Sequence, residues 1–307
     1  MKKSSLKLLC SALAFIITCS VNAFSQNVRN EYKLGKFTDL EVSDDFDVTV
    51  VKGSEYTLEL TVPEAYVQFV HNSVKGSTLS IDLDDRKIPT DLKKVFKGKD
   101  KSEIYRAIIT MPGNLKSVKM SGKANLVVNP EIMSEDAVLI EMTDNSTLKS
   151  MTVSAKNVNI DMEKKATATL SVSCGQLALE TSGSSSLTLN QASDNLNIKS
   201  QGNSNITVKG ETGYLDYNVK GTTKATLVGK ADSAIFSCAG SSNTNAVEFD
   251  IREAVVEMNS ISTLTEAASE KLTVSLSGGA NLIFANSPVL DIKEIKSSSM
   301  SHYSSKK

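Results

Sequence analysis

The segment LNIKSQGNSNITV, residues 196–208, contains one complete unit of the pattern that decides the fold. Apolar and polar residues alternate up to Ser200, a polar turn with Gly202 follows, and Ser204 leads into a second alternating run at Ile206. Alternation with a period of two residues is typical of β-strands that bury one face. The segment therefore predicts a strand, a tight turn and a second strand.

Nine copies of this unit follow one another through the C-terminal two-thirds of the chain. Consecutive anchor positions are 18 to 22 residues apart, at Met120, Met142, Met162, Thr181, Ser200, Val219, Cys238, Met258 and Leu276. A period near 20 residues is typical of a solenoid, in which each repeat is one coil stacked on the last. Antiparallel hairpins would also alternate, but they would not hold matched residues in register at this period. We therefore predict an all-β fold, a single-stranded parallel β-helix of about nine coils, right-handed by the crossover rule.

Equivalent positions of the repeat share their chemistry, which predicts the direction of each side chain. The residue two before the anchor is apolar in all nine copies. The residue two after it is Gly in six copies, as expected where a turn needs a positive φ. The residue four after it forms what we call the small column: Ala124, Ser146, Ala166, Ser185, Ser204, Thr223, Ser242, Ser262 and Ala280. Small stacked side chains indicate a crowded inner corner.

The rest of the chain divides by composition. Residues 1–23 are predicted to be a signal peptide, with Lys2, Lys3 and Lys7 before an apolar run; a lipoprotein signal ending at Cys19 is the alternative. The remaining predicted regions are a disordered lead (24–36), an N-terminal β-rich cap with the first coils (37–112), the β-helix repeats (113–296) and a frayed polar tail (297–307). Within the cap we expect a helical stretch from Pro63 to Val74 and a charged loop over residues 84–103.

Composition disfavours several classes of partner. Removal of the signal peptide leaves 31 basic and 35 acidic residues, a net charge of −4, which disfavours nucleic acid and anionic membranes. Trp is absent and aromatic residues are 5% of the chain, which argues against stacking platforms for bases or sugars. After the signal peptide, no run approaches the ~18 apolar residues of an integral membrane span. Cys174 and Cys238 are more than three coils apart, so we expect free, buried thiols.

One set of outward residues has the types needed for acid–base chemistry. Glu141, Asp161 and Glu180, here called the acidic column, precede successive anchors, and Lys199 follows them on the next coil. Stacked carboxylates raise one another's pKa or attract a cation, and a glycosidase pair lies about 5–10 Å apart. The alternative, which we favour, is a solvated ladder relieved by Lys199.

Other catalytic or metal chemistry lacks candidate residues. His71 and His302 are the only histidines of the sequence, which disfavours a Ser-His-acid triad or a His-based metal site. The acidic clusters Asp44-Asp45-Asp47 and Asp82-Asp84-Asp85 lack the spacing of calcium loops and fit solvated turns better than a weak Ca²⁺ site. We predict no catalytic residue, no metal site and no cofactor.

A second set of outward residues suits binding. The polar stripe, five residues after each anchor, includes the candidate binding residues Asn125, Asn205, Asn243 and Asn281. Its other members are Thr147, Thr167, Ser186, Lys224 and Thr263. Neutral hydrogen-bonding groups suit contact with a glycan or a surface protein. Any soluble solenoid would also display such a stripe.

The order of several motifs resembles that of a known family. These motifs are Phe37-x-x-Leu40-x-Val42, Phe46-Asp47-Val48 before Lys52-Gly53, Leu79-x-Ile81, Ile108-x-x-Met111-Pro112 and Met120-Ser121-Gly122 with its later copies. Over residues 37–290 the chain is similar to the putative auto-transporter adhesin, head GIN domain, family of secreted Bacteroidetes proteins. The resemblance implies a parallel β-helix outside the cytoplasm and supplies no catalytic residues. Glu163-Lys164 and Asn259-Ser260 depart from its Ser-Gly turn.

Three functions follow as hypotheses. The first is a secreted, non-enzymatic adhesion or binding module in the periplasm or at the cell surface, with a glycan or surface protein as partner. The second is a pectinase-like carbohydrate-active enzyme that uses the acidic column. The third is a structural envelope protein without a ligand.

Overall fold

The strands form one stack of parallel coils, as the repeat predicts. The computed structural model describes residues 27–96 and 105–304, so the predicted signal peptide and Cys19 lie outside the described residues. The stack is an all-β solenoid of about ten turns, which confirms the predicted fold class. Coils at both ends, two in the cap and one formed by the last two described strands, add to those of the repeat.

The repeat region contributes the regular strands. They are β8 (Ser117–Met120), β9 (Asn125–Val128), β10 (Ile132–Met142), β11 (Thr147–Met162), β12 (Thr167–Thr181), β13 (Ser186–Ser200), β14 (Asn205–Val219), β15 (Lys224–Cys238), β16 (Asn243–Met258), β17 (Thr263–Ser277) and β18 (Asn281–Phe284). Neighbours pair in parallel, and in the central coils the register advances by 19 residues, as in Ser186 opposite Asn205. The chain period is therefore the period of the hydrogen-bonded ladder.

Each long strand bends once and so contributes to two sheets. In β13 the buried side chains include Leu187 and Leu189 before the bend and Leu196 and Ile198 after it, so the alternation changes phase between them. We call the segments that start after each turn the back sheet and those that end at each anchor the front sheet. Their inward residues meet in one apolar core.

The turn between the sheets has one backbone conformation throughout the repeat. All nine positions two after the anchor have positive φ, including the non-glycine residues Asp144, Lys164 and Ser260. A Cβ added at Gly202 would lie 2.6 Å from the carbonyl oxygen of Gly183 in the coil before. The close stacking of turns explains why Gly prevails there.

The small column lies at the inner corner after this turn, as predicted. All nine of its residues are at most 1% exposed. Several hydroxyl groups of the column donate to the carbonyl oxygen three residues earlier, as Ser146 does to Thr143 (2.8 Å) and Ser185 to Ser182 (2.7 Å). Ser and Thr therefore fit the corner in size and also close the turn.

The first coil lies between two later ones. It consists of β2 (Asp39–Val42) and β3 (Asp47–Lys52). On one side β2 and β3 pair in parallel with β6 (Thr78–Leu83) and β7 (Arg106–Met111), and on the other side with β8 and β9. The chain therefore passes over its own first coil before it starts the regular repeat.

Antiparallel strands cover the N-terminal end of the stack. β4 (Thr57–Pro63) pairs antiparallel with β7, β5 (Val70–Lys75) with β6, and β1 (Asn27–Lys33) with β4. The inward side chains of β4, such as Leu58 and Leu60, are fully buried. The reversed direction of these strands ends the parallel stack, because they cover the strand edge that a further parallel coil would need for pairing.

Four local predictions need correction. Residues 27–33 of the predicted disordered lead form β1, because β4 offers them a free edge. The predicted helical stretch is a 3₁₀ helix at Glu64–Phe69 followed by β5, and the predicted charged loop contains a 3₁₀ turn at Asp85–Lys87 and α1 (Thr90–Phe96). The tail is not frayed throughout: β19 (Val289–Lys296) and β20 (Ser299–His302) form a last coil on β17 and β18.

Candidate binding face

The polar stripe exists as one in-register ladder on the back sheet. Its nine residues stand opposite one another from Asn125 to Asn281, and all are exposed or half-buried. The structure does not bring the four candidate asparagines together. Asn125 and Asn205 are four strand steps apart, about 19 Å, while Asn205, Asn243 and Asn281 follow at steps of about 10 Å. Only an extended ligand could contact two of them.

The acidic column also exists, on the front sheet. Lys119, Glu141, Asp161, Glu180 and Lys199 stand opposite one another on five successive coils. The outer carboxylates are paired, Glu141 with Lys119 at 3.8 Å and Glu180 with Lys199 at 3.3 Å. The column is therefore a ladder of three carboxylates between two lysines, with one carboxylate, Asp161, left without a cationic partner among the described residues.

The central carboxylate of this ladder differs from its neighbours. Among the described residues, no cation lies within ion-pair distance of Asp161. Partial burial raises the pKa of Asp161, and the charges of Glu163, Glu180 and Glu141 raise it further. A shallow recess of about 380 Å³ lies beside it, lined by polar and charged side chains that include Glu180, Lys199 and Asn218.

Sequence reasoning missed a group of amides next to the acidic column. They occupy the outward positions three and five before the anchor on β11 to β14, and we call them the amide face. Its polar members are Asn157, Asn159, Gln176, Asn195, Asn197, Tyr214 and Asp216, and Ala178 takes the eighth position. The same column alignment that revealed the polar stripe could have found them, since these positions recur every 19 residues.

Tyr214 gives the amide face an aromatic surface. It stands directly opposite Asn195, is half-buried, and lines a shallow recess of about 210 Å³ together with Asn159, Asn197 and Asp216. The amide of Asn197 donates to the Oδ2 of Asp216 at 3.1 Å, which fixes the orientation of that amide. The recess thus combines one ring face with amide donors and acceptors, a combination that the low aromatic content did not predict.

Residues of both acidic clusters of the cap line one groove, where hydrogen bonds and ion pairs occupy several of their carboxylates. Asp44 accepts hydrogen bonds from the Leu83 backbone and the Ser43 hydroxyl. Asp84 is paired with Lys87 at 2.7 Å and Asp85 with Lys93 at 3.0 Å. No group of three or more His, Cys, Asp or Glu side chains within residues 27–96 and 105–304 is arranged to hold a metal ion.

The two cysteines of the repeat region are separate thiols. Cys174 is half-buried at the bend of β12, and Cys238 is buried at an anchor position. Burial raises the pKa of Cys174 to about 11 and that of Cys238 to about 12. Both thiols are therefore protonated at neutral pH and are poor nucleophiles.

Comparison with known proteins identifies relatives. The model of the family described as "Putative auto-transporter adhesin, head GIN domain" matches residues 36–193 and 177–288. No curated protein matches the chain. In the part of the chain that the structure describes, no helix has both the length and the apolar character needed to cross a membrane.

Solved structures share the fold at low sequence identity. A putative adhesin from Parabacteroides merdae ATCC 43184 is 16% identical with a TM-score of 0.50, and the match covers 91% of this chain and 97% of that one. A putative adhesin from Parabacteroides distasonis ATCC 8503 is 15% identical with a TM-score of 0.45, over 91% and 98% of the two chains. At 16% identity and a TM-score of 0.50, the likeness to the Parabacteroides merdae structure shows a shared fold and does not identify a ligand.

Proposed function

Because the chain belongs to the putative auto-transporter adhesin, head GIN domain, family, we propose that it is a non-enzymatic adhesion module that binds an extended glycan on its amide face. The protein acts outside the cytoplasm in this proposal, in the periplasm, at the outer-membrane surface or in secreted form. The apolar segment within residues 1–23 and the family both support that location.

The observation that carries the proposal is the placement of Tyr214 among amides. An amide side chain offers both a donor and an acceptor without net charge, which matches the hydroxyl groups of a sugar. An aromatic ring adds a large contact area with few rotatable bonds to immobilise. Because equivalent positions recur at about 4.8 Å on successive coils, the face offers amide side chains on each of β11, β12 and β13.

A protein partner is the alternative occupant of this face. The face has one aromatic side chain, Tyr214, and one small apolar one, Ala178, and is otherwise polar. The centre of a protein interface is usually richer in aromatic and apolar residues. This composition favours a hydrated ligand such as a glycan.

A glycan array with the purified chain, followed by calorimetry on the best ligand, tests the proposal. Tyr214→Ala should weaken binding about tenfold or more, the loss of roughly 1.4 kcal/mol. Asn195→Ala and Asn197→Ala should weaken it less. The matched controls are Asn205→Ala and Asn243→Ala on the back sheet, which should bind as the wild type does.

Two results would count against this assignment. Loss of binding only in the back-sheet variants would move the site to the polar stripe. An absence of glycan binding at millimolar ligand, together with retention of a surface protein by the wild type and not by Tyr214→Ala, would replace the glycan with a protein partner.

The enzyme hypothesis keeps one favourable observation, the raised pKa of Asp161 beside Glu180. A raised pKa suits a general acid, and the next carboxylate is one strand step away. Against it, Lys199 pairs with Glu180. Release of reducing sugar from a polysaccharide panel by the wild type, abolished when Glu141, Asp161 and Glu180 are all changed to amides, would establish the enzyme instead.

A further inference from the structure

The last coil, β19 with β20, leaves core side chains open to solvent. Leu290, Ile292 and Ile295 stand opposite residues of β17 that are fully buried, yet they are 42%, 51% and 42% exposed. These side chains point inward, in line with the core residues of β17, and they are exposed because none of the described strands covers them. Within the described residues, neither β19 nor β20 has a strand on its outer edge.

The opposite end of the molecule shows how this chain covers such an edge. There the antiparallel strands β1, β4 and β5 close the stack, and the core side chains Leu58, Leu60 and Val62 have no exposed surface. An open strand edge over an apolar core is a ready template for pairing with another strand.

We propose that the open end is an interaction surface for a second copy of the chain, joined by antiparallel pairing of β19 with the same strand of the copy. A twofold axis across the solenoid places the two open ends together and reverses the strand direction at the junction. Such an interface is closed and uses one patch twice. It also satisfies the free backbone groups of both edges.

The residues of β19 are complementary to themselves in the register that places Ile292 opposite Ile295 of the copy. Opposite residues of an antiparallel pair lie on the same face. If Ile292 stands opposite Ile295 of the copy, two inward apolar side chains meet. The same register places Asp291 opposite Lys296 of the copy and Glu294 opposite Lys293, and the symmetry gives each pair twice.

Neighbouring registers lack this complementarity. A shift by one residue in either direction places Lys293 or Glu294 opposite itself, so that like charges meet. The same shift brings outward Asp291 opposite inward Ile295, or inward Ile292 opposite outward Lys296. The charge order Asp291, Lys293, Glu294, Lys296 therefore disfavours the two registers next to this one.

The size of the open end sets the expected affinity of the dimer. The last coil comprises residues 289–302, fewer than the roughly 20–30 residues on each side of a stable complex. We therefore expect a concentration-dependent dimer with a Kd above about 1 μM.

Sedimentation velocity of the full chain, between low micromolar and high micromolar concentrations, tests this proposal first. The wild type should shift from monomer to dimer, and Ile292→Lys should remain a monomer throughout. The control is Glu257→Lys, which adds a lysine in the outward column of Glu294, two coils from the edge, and should dimerise normally. Circular dichroism melting verifies that each variant is folded.

A charge exchange tests whether the charged side chains of β19 face those of the copy. Lys293→Glu with Lys296→Glu makes β19 entirely acidic, and Asp291→Lys with Glu294→Lys makes it entirely basic. Each double variant alone should be monomeric, and an equimolar mixture of the two should form a heterodimer.

Several outcomes would overturn the proposal. They are a wild-type monomer at every concentration, a dimer that Ile292→Lys leaves intact, failure of the mixture to associate, and a continuous series of larger oligomers. The last would indicate that the open end joins the opposite end of another copy.

Discussion

The Nζ of Lys164 donates a hydrogen bond to the Oδ1 of Asp144 at 2.6 Å, and both residues occupy the turn position that six of the nine repeats fill with glycine. The bond lowers the pKa of Asp144 and raises that of Lys164. These two adjacent coils thus depart from glycine together, and a cross-coil ion pair accompanies the left-handed backbone of both residues.

The turn position predicts a contrast between two alanine substitutions. Gly202→Ala should cost about 1–2 kcal/mol or more, because its φ of +93° is unfavourable to a side chain and the new Cβ would meet the Gly183 carbonyl oxygen at 2.6 Å. Ser260→Ala should be nearly neutral, since Ser260 already carries a Cβ at a φ of +63°. Urea unfolding compares the two variants, and equal losses would show that turn stacking does not select glycine.

The inner corner predicts a contrast between two neighbouring residues. Ser204→Phe should cost about 1–3 kcal/mol, because Ser204 is 1% exposed in the small column and a larger side chain overpacks it. Asn205→Phe should have little effect, since Asn205 lies in the exposed polar stripe. Equal melting temperatures for the two variants would contradict the assignment of faces.

The acidic column predicts that its carboxylates are not equivalent. Asp161→Asn should raise the melting temperature at pH 7, because partial burial and three neighbouring carboxylates raise the pKa of Asp161 and so disfavour its charged form. Glu180→Gln should give no gain, since it removes the partner of Lys199. If Asp161→Asn destabilised the protein, its carboxylate would have an attractive partner that this argument omits.

A carboxyl group in the core predicts pH-dependent stability. Glu266 is fully buried, and burial raises its pKa from 4.5 to about 7, while a hydrogen bond from the Ala268 backbone at 2.7 Å lowers it. The unfolded chain therefore releases this proton at a lower pH than the folded chain does. Stability should fall by about 3 kcal/mol as the pH rises from about 4.5 to about 7.

Two amide variants isolate this contribution. Glu266→Gln should remove that part of the slope when unfolding free energy is plotted against pH, and the exposed Glu270→Gln should keep it. A slope unchanged in Glu266→Gln would assign the pH dependence to other groups.

The repeat made much of the fold predictable. Positions such as Ile198, Gly202 and Ser204 recur with the same neighbours on every coil, so one local rule assigns their burial and backbone conformation many times. The polar stripe and the acidic column followed from the same alignment. Glu266 takes the inward position that Leu189, Val208 and Leu227 fill in earlier coils, eight residues after the anchor, so the same alignment also predicts its burial.

The amino-acid sequence by itself determined the parallel stack, its period and the direction of each repeated side chain, because each coil adds the same hydrogen-bonded register to the one before. Only the tertiary structure decided the features that occur once. The insertion of the β2–β3 coil between later coils, the antiparallel cover with β1 and the uncovered edge of β19 each depend on pairing between segments without a repeated pattern. Those pairings form between a free strand edge and a complementary segment that is distant in the sequence. Such long-range pairing leaves no periodic pattern in the sequence.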